Sequence, residues 1–169
     1  MRASVLFFSG VFLLAGSAMA SAADYTVEDI LKYFSSQEAT RGICVGSEEE
    51  CGGKGQKREG YNLNMTFAKN SDVLSEEAKS NLGVFADALR LPQMASASIA
   101  IDGFTDASGS EEHNRDLSER RATSVVTFLG TLGIDTSKLV ARGHGETRIL
   151  GEDPLDPANR RVETSLLVQ

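Results

Sequence analysis

Residues 103–122 read GFTDASGSEEHNRDLSERRA, a strand end followed by a polar turn and the start of a helix. Just before this stretch, Ile99 and Ile101 occupy alternate positions, as in a strand with one buried face. Ser110 fits a helix N-cap, because the two glutamates that follow it favour the first turn. The stretch therefore predicts a strand near 97–104 that leads through a turn into a long helix.

Within residues 61–169, the chain on either side shows three further strands and one further helix. A helical stripe begins after Ser75, another N-cap residue, and stops before Pro92. Period-two and apolar patterns predict strands near 61–67, 138–143 and 161–168. Right-handed βαβ crossovers make helix-linked strands parallel, and the last strand is free to run antiparallel. We expect an α+β domain: a βαβαβ-β mixed sheet with its helices packed on one face.

The first twenty residues have the layout of a secretory signal. Arg2 precedes an apolar run, and small residues lead to an Ala18-Met19-Ala20 cleavage pattern. The run is shorter than the roughly 20 residues that a membrane-spanning helix needs. We predict a signal peptide over 1–20, cleaved after Ala20, with Ala22 and Ala23 as alternative sites.

Residues 21–60 form an extension in front of the domain at 61–169. It contains a helical stripe near its start, a cysteine loop and a Gly/Lys-rich linker. Cys44 and Cys51 predict a disulfide in an oxidising compartment. A metal pair is the alternative, although structural zinc usually takes four ligands and few further candidates exist.

The charge balance excludes several classes of partner. The chain carries 24 acidic and 17 basic residues, a formal charge of −7. Nucleic-acid binding requires clustered Lys and Arg, and adhesion to anionic lipid requires positive charge. No later segment is apolar enough to span a bilayer. We therefore predict no nucleic-acid partner and no direct membrane insertion.

Four spaced motifs carry a family resemblance. They are T-D-x-x-G at 105–109, N-x-x-L-S-x-x-R-A at 114–122, G-x-G-E at 143–146 and N-R-R-V-E at 159–163. In this order they resemble the OmpA-like C-terminal domain of outer-membrane porin tails, peptidoglycan-associated lipoproteins and flagellar stator proteins. The resemblance covers about 61–169. One departure is Arg148-Ile149-Leu150, where many family members have proline.

The resemblance implies non-covalent binding of peptidoglycan through the diaminopimelate residue of its stem peptide. It assigns the head group of that residue to Asp106 and Arg121. Residue chemistry agrees, because an ammonium and a carboxylate on one carbon require a fixed anion and a fixed cation, and arginine binds carboxylates through a planar fork. Further binding candidates nearby are Asn114, Thr105, Leu117 and Arg160. The alternative is that Asp106 and Arg121 form a purely structural salt bridge.

Other functions compete with wall binding. Asp106-Ala107-Ser108-Gly109-Ser110 also fits a D-x-S-x-S metal loop, but only 59 residues follow it. His113 and His144 have no evident catalytic partner, so we predict no enzyme activity and no cofactor. A protein–protein adaptor of the cell envelope remains the alternative function. The resemblance and the signal place the protein in the periplasm, associated with the cell wall or the outer membrane.

Overall fold

A computed structural model describes residues 23–39 and 60–167, with side chains described except at 37–39. The predicted signal cleavage and the Cys44–Cys51 disulfide lie outside this range. The helices are α1 (Val27–Ala39), α2 (Glu76–Leu89) and α3 (Glu111–Thr131). The strands are β1 (Tyr61–Thr66), β2 (Ile99–Gly103), β3 (Leu139–Gly143) and β4 (Arg161–Leu166). The predicted α+β class and order of elements from β1 onward are confirmed.

The sheet has the strand order β1-β4-β2-β3. β2 and β3 are parallel, whereas β4 is antiparallel to both β1 and β2. The last strand of the chain therefore lies between the first two. As a result, the carboxyl ends of β1 and β2 and the amino end of β4 meet at one edge of the sheet.

Both predicted N-caps form, and they fix where α2 and α3 begin. Ser75 accepts a hydrogen bond from the Ala78 N–H, and Ser110 accepts one from the His113 N–H. Gly133 follows α3 with a φ of +83°, the left-handed conformation that commonly ends a helix. The start of α3 therefore lies at the sheet edge just defined.

A pair of glycines lets α3 approach the sheet closely. Gly103 of β2 and Gly143 of β3 are neighbours in the parallel register. A Cβ on Gly143 would lie 2.7 Å from the Arg115 carbonyl oxygen and 2.6 Å from the Glu119 nitrogen. A Cβ on Gly103 would collide with the Ser118 carbonyl oxygen. Glycine at both positions is thus a condition for the observed packing.

All three helices pack on the same face of the sheet and share one hydrophobic core. Ile30 and Phe34 of α1 are buried in it, and the ring centroids of Phe34 and of Phe85 in α2 are 6.5 Å apart. The Tyr25 hydroxyl donates to the Asn81 carbonyl at 2.9 Å. The extension helix is therefore part of the domain core. None of these helices is long and apolar enough to cross a membrane.

Candidate functional site

A cavity of about 340 Å³ opens at the edge of the sheet where β1 and β2 end and β4 begins. Its walls come from the segments after β1 and β2, the first turns of α3 and the residue before β4. The structure brings the six predicted binding residues together around it: Thr105, Asp106, Asn114, Leu117, Arg121 and Arg160.

Asp106 is the carboxylate of the cavity, and its side chain is held by two neighbours. One oxygen accepts hydrogen bonds from the Ser108 N–H at 3.2 Å and from the Ser108 hydroxyl. The other accepts from Arg160 Nη1 at 3.0 Å. Burial alone would raise the pKa of Asp106, but the hydrogen bonds from Ser108 and Arg160 outweigh it and hold the pKa below the ordinary value of an aspartate. Asp106 is therefore a fixed anion at neutral pH.

Arg121 is the buried cation, with no exposed surface. Its Nε, Nη1 and Nη2 donate to the main-chain carbonyls of Ser71, Phe104 and Ala68 at 2.9, 3.0 and 3.2 Å. Burial, and next the neighbouring Arg160 charge, lower the pKa of Arg121 to about 10, so it remains protonated at neutral pH. A guanidinium has five N–H donors, so one on each terminal nitrogen is left over from these three bonds.

The sequence predicts that Asp106 lies beside Arg121, but in the structure the Asp106 carboxylate is bonded to Arg160. Asp106 forms its ion pair with Arg160, and within the described ranges Arg121 has no carboxylate within 4 Å. The alternative in which Asp106 and Arg121 form a closed salt bridge is therefore not the arrangement seen. Both charges line the cavity without neutralising each other directly.

Three further candidates complete the walls. Leu117 is buried and supplies an apolar surface. Asn114 is buried and donates to the Glu146 carboxylate of the G-x-G-E motif, which fixes the start of α3 to the loop after β3. The Thr105 hydroxyl is buried and makes no hydrogen bond with any residue of 23–39 or 60–167. Buried hydroxyls usually have a partner, so this unpaired group of the cavity lining is a candidate contact for a ligand.

Five residues that line the cavity were not predicted as binding residues from the sequence: Lys69, Asn70, Ser108, Gly109 and His113. His113 Nε2 and Asn70 Oδ1 are 2.9 Å apart, which links α3 to the segment after β1. A signal for Lys69 and Asn70 was present in the sequence. They lie three and four residues after the end of β1, a strand whose direction matches that of β2, and ligand sites in α/β sheets lie near such strand ends.

Arg161, the second arginine of the N-R-R motif, lies on the face of the sheet that the helices do not cover. Arg161 is buried, stacks on the Phe104 ring with its guanidinium 4.3 Å from the centroid, and pairs with Glu163 at 2.7 Å. Arg148, in the stretch that departs from the family pattern, also pairs with Glu163, at 3.0 Å. The Arg148–Glu163 pair anchors the loop after β3 to β4, outside the cavity.

His144 lies on the same face of the sheet as Arg161, the face that the helices do not cover. Its ring stacks on Phe104 with a centroid distance of 5.0 Å, and its Nε2 lies 2.7 Å from an Asp102 oxygen. The side chain therefore packs against the sheet beside the Arg161–Glu163 pair.

Comparison with known proteins identifies the domain. The model of the OmpA family matches residues 66–163, more than half of the chain. The chain belongs to the OmpA family. Outer membrane protein A of Serratia marcescens is 37% identical over 90 residues, which cover 53% of this chain and 25% of the relative. The chain therefore spans about a quarter of the length of that relative.

Solved structures of the OmpA family share this fold. The OmpA-like domain of FopA1 from Francisella tularensis superimposes with a TM-score of 0.55 and 27% identity, covering 59% of this chain and 67% of that one. The peptidoglycan-associated lipoprotein of Burkholderia pseudomallei gives a TM-score of 0.54 at 24% identity, covering 61% and 88%. The second likeness is one of fold alone. OmpA-like domains commonly bind peptidoglycan.

Proposed function

We propose that this protein binds peptidoglycan non-covalently through the diaminopimelate residue of the stem peptide, as an exported protein of the periplasm. One observation carries the proposal: a buried carboxylate and a buried guanidinium, Asp106 and Arg121, line the same cavity without pairing to each other. This is the charge arrangement that an amino-acid head group requires.

Each part of the head group has a partner in the cavity. The ligand ammonium pairs with Asp106, whose depressed pKa keeps it ionised. The ligand carboxylate accepts from the remaining N–H groups of Arg121 and from the Thr105 hydroxyl, and a charge-assisted bond of this kind is stronger than a neutral one. Leu117 lines the wall for the methylene chain. In the free protein Arg160 holds Asp106 in place.

The same geometry argues for binding without catalysis. Glycoside hydrolysis ordinarily uses two carboxylic groups, one of them a general acid with a raised pKa. Within the described ranges Asp106 is the one carboxylate that lines the cavity, and its pKa is lowered. The site is therefore suited to holding charges in place and poorly suited to proton transfer.

Co-sedimentation with purified murein sacculi tests the proposal. We expect the wild-type protein to pellet with sacculi and Asp106→Asn to remain in the supernatant, because the ligand ammonium loses its counter-ion. Asp116→Asn is the matched control, since Asp116 is an exposed aspartate of α3 that pairs with Arg120 and does not line the cavity. Circular dichroism verifies that all three proteins are folded.

Competition then identifies the ligand group. Millimolar diaminopimelate should release the wild-type protein from sacculi. Nα-acetyl-lysinamide should not, because it has the ammonium without the adjacent carboxylate. Wild-type protein left in the supernatant, or release by both compounds alike, would contradict the proposal. Capture of an envelope protein that survives murein digestion and the Asp106→Asn change would instead favour the adaptor function.

A further inference from the structure

The charges around the cavity do not cancel. Asp106 is its one carboxylate among the residues that the structure describes, whereas Lys69, Arg121 and Arg160 are cations. His113, the remaining titratable group of the lining, is bonded to Asn70. With neutral histidine the lining has an excess of two positive charges, on a chain whose formal charge is −7.

The carboxylates near the cavity are bonded to other groups. Glu146 is bonded to Asn114 and lines a different depression, together with Glu111 and Glu112. Asp72 lies 3.3 Å from Arg120 in an ion pair on the outer side of α3. Asp106 is matched by Arg160. Lys69 and Arg121 are thus the two cations of the cavity without a carboxylate within 4 Å in the described parts of the chain.

A zwitterionic head group cannot neutralise the net positive charge of the cavity. Its ammonium adds one positive charge and its carboxylate one negative charge, so the excess of two remains after it binds. Arg121 is deep and fixed by three carbonyls, whereas Lys69 is exposed on the segment after β1. Once the ligand carboxylate pairs with Arg121, Lys69 is the cation of the cavity that still lacks a carboxylate partner, and it lies at the exposed mouth of the cavity.

We infer that the cavity selects a ligand with a net negative charge, and that Lys69 recognises a second carboxylate beyond the amino-acid head group. The inference rests on the proposed function and specifies the charge of the ligand that the cavity binds. In a stem peptide, the second carboxylate belongs to the residues beside the bound head group. A stem peptide whose free carboxylates are amidated would keep the head group and lose the contact with Lys69.

Two synthetic stem tripeptides of alanine, γ-linked glutamate and diaminopimelate test whether carboxylates beyond the head group contribute to binding. Both retain the diaminopimelate head group. One has its other two carboxyl groups free, and the second has them as carboxamides. Titration calorimetry on the purified wild-type protein should give roughly threefold to fivefold tighter binding of the free peptide at low salt, the size expected for a partly exposed ion pair. The preference should shrink at 0.5 M salt because screening is stronger there.

Lys69→Gln should reduce the preference to about one while leaving the amidated peptide bound as before. Lys79→Gln is the matched control, because Lys79 pairs with Glu76 on α2 and does not line the cavity. It should keep the wild-type preference. Equal affinity of wild type for the two peptides, or a preference that persists in Lys69→Gln, would overturn the inference and leave head-group binding intact. Failure of wild type to bind either peptide would instead overturn the proposed function.

Discussion

At the residue scale, Arg121 has two tasks at once. It supplies the buried positive charge of the cavity, and it ties together three main-chain carbonyls, from Ala68, Ser71 and Phe104. Its guanidinium also stacks over the Phe67 ring at 5.0 Å. A binding experiment on an Arg121 variant therefore mixes loss of the ligand contact with loss of structure. Asp106 is the cleaner position for testing the site.

We predict that Arg121→Ala lowers the free energy of unfolding by about 3 kcal/mol or more. The change leaves three carbonyls without their donor and removes a buried side chain, and each unsatisfied buried group costs roughly 1–3 kcal/mol. Urea denaturation followed by circular dichroism measures the loss.

The neighbouring residue provides the matched control for this prediction. Arg120 is half-exposed and forms ion pairs with Asp116 and Asp72. Arg120→Ala should cost less than about 1 kcal/mol, because exposed ion pairs contribute little. Equal losses in the two variants would show that the buried hydrogen bonds of Arg121 do not stabilise the fold.

At the scale of elements, the site depends on how closely α3 approaches the sheet. Asn114, Leu117 and Arg121 all project from α3, so any lift of the helix moves three walls of the cavity together. The distance is set by the glycine pair of β2 and β3. Ser118 adds a polar link, since its hydroxyl accepts from the Gly145 N–H at 2.8 Å.

We predict that Gly143→Ala lowers the free energy of unfolding by about 2 kcal/mol and weakens binding to sacculi. The added methyl would meet main-chain atoms of α3 at 2.6–2.7 Å, and overpacking of this kind costs roughly 1–3 kcal/mol. Thermal or urea unfolding and co-sedimentation are the two measurements.

The same substitution in α2 should have the opposite sign. A Cβ on Gly83 meets nothing within 4 Å, and alanine is the better helix former by roughly 1 kcal/mol. Gly83→Ala should therefore stabilise the protein and leave binding unchanged. A Gly143→Ala protein as stable as wild type would show that α3 tolerates displacement from the sheet.

At the scale of the whole molecule, the extension helix α1 and the cavity lie at opposite ends of the sheet. α1 packs near the start of β2 and the end of β4, beside Ala97 and Leu166. The cavity lies at the end of β2 and the start of β4. The extension helix therefore contributes to the core without touching the candidate site.

We predict that Phe34→Ala lowers the free energy of unfolding by about 3 kcal/mol or more, because a buried aromatic ring in the shared core is removed. Affinity for murein, measured on the folded protein at low temperature, should stay within about twofold of wild type. A large loss of affinity with little loss of stability would indicate that α1 acts on the site.

Local pattern was enough to predict the kind and order of most elements. Alternation of apolar residues marked the strands, and Ser75 and Ser110 marked the starts of the two central helices, because periodicity and capping depend on neighbours in the chain. The motifs also pointed to Asp106, Arg121 and the four other residues that the structure places around one cavity. All of these predictions could be made from local sequence, without knowing which distant residues are in contact.

Only the tertiary structure decided which elements are neighbours. Insertion of β4 between β1 and β2 brings Arg160 to Asp106, and it brings the segment after β1 to Arg121. The same arrangement places Lys69 at the mouth of the cavity. Strand order and ion-pair partners depend on long-range pairing and on burial of the whole sheet, which no local periodicity records.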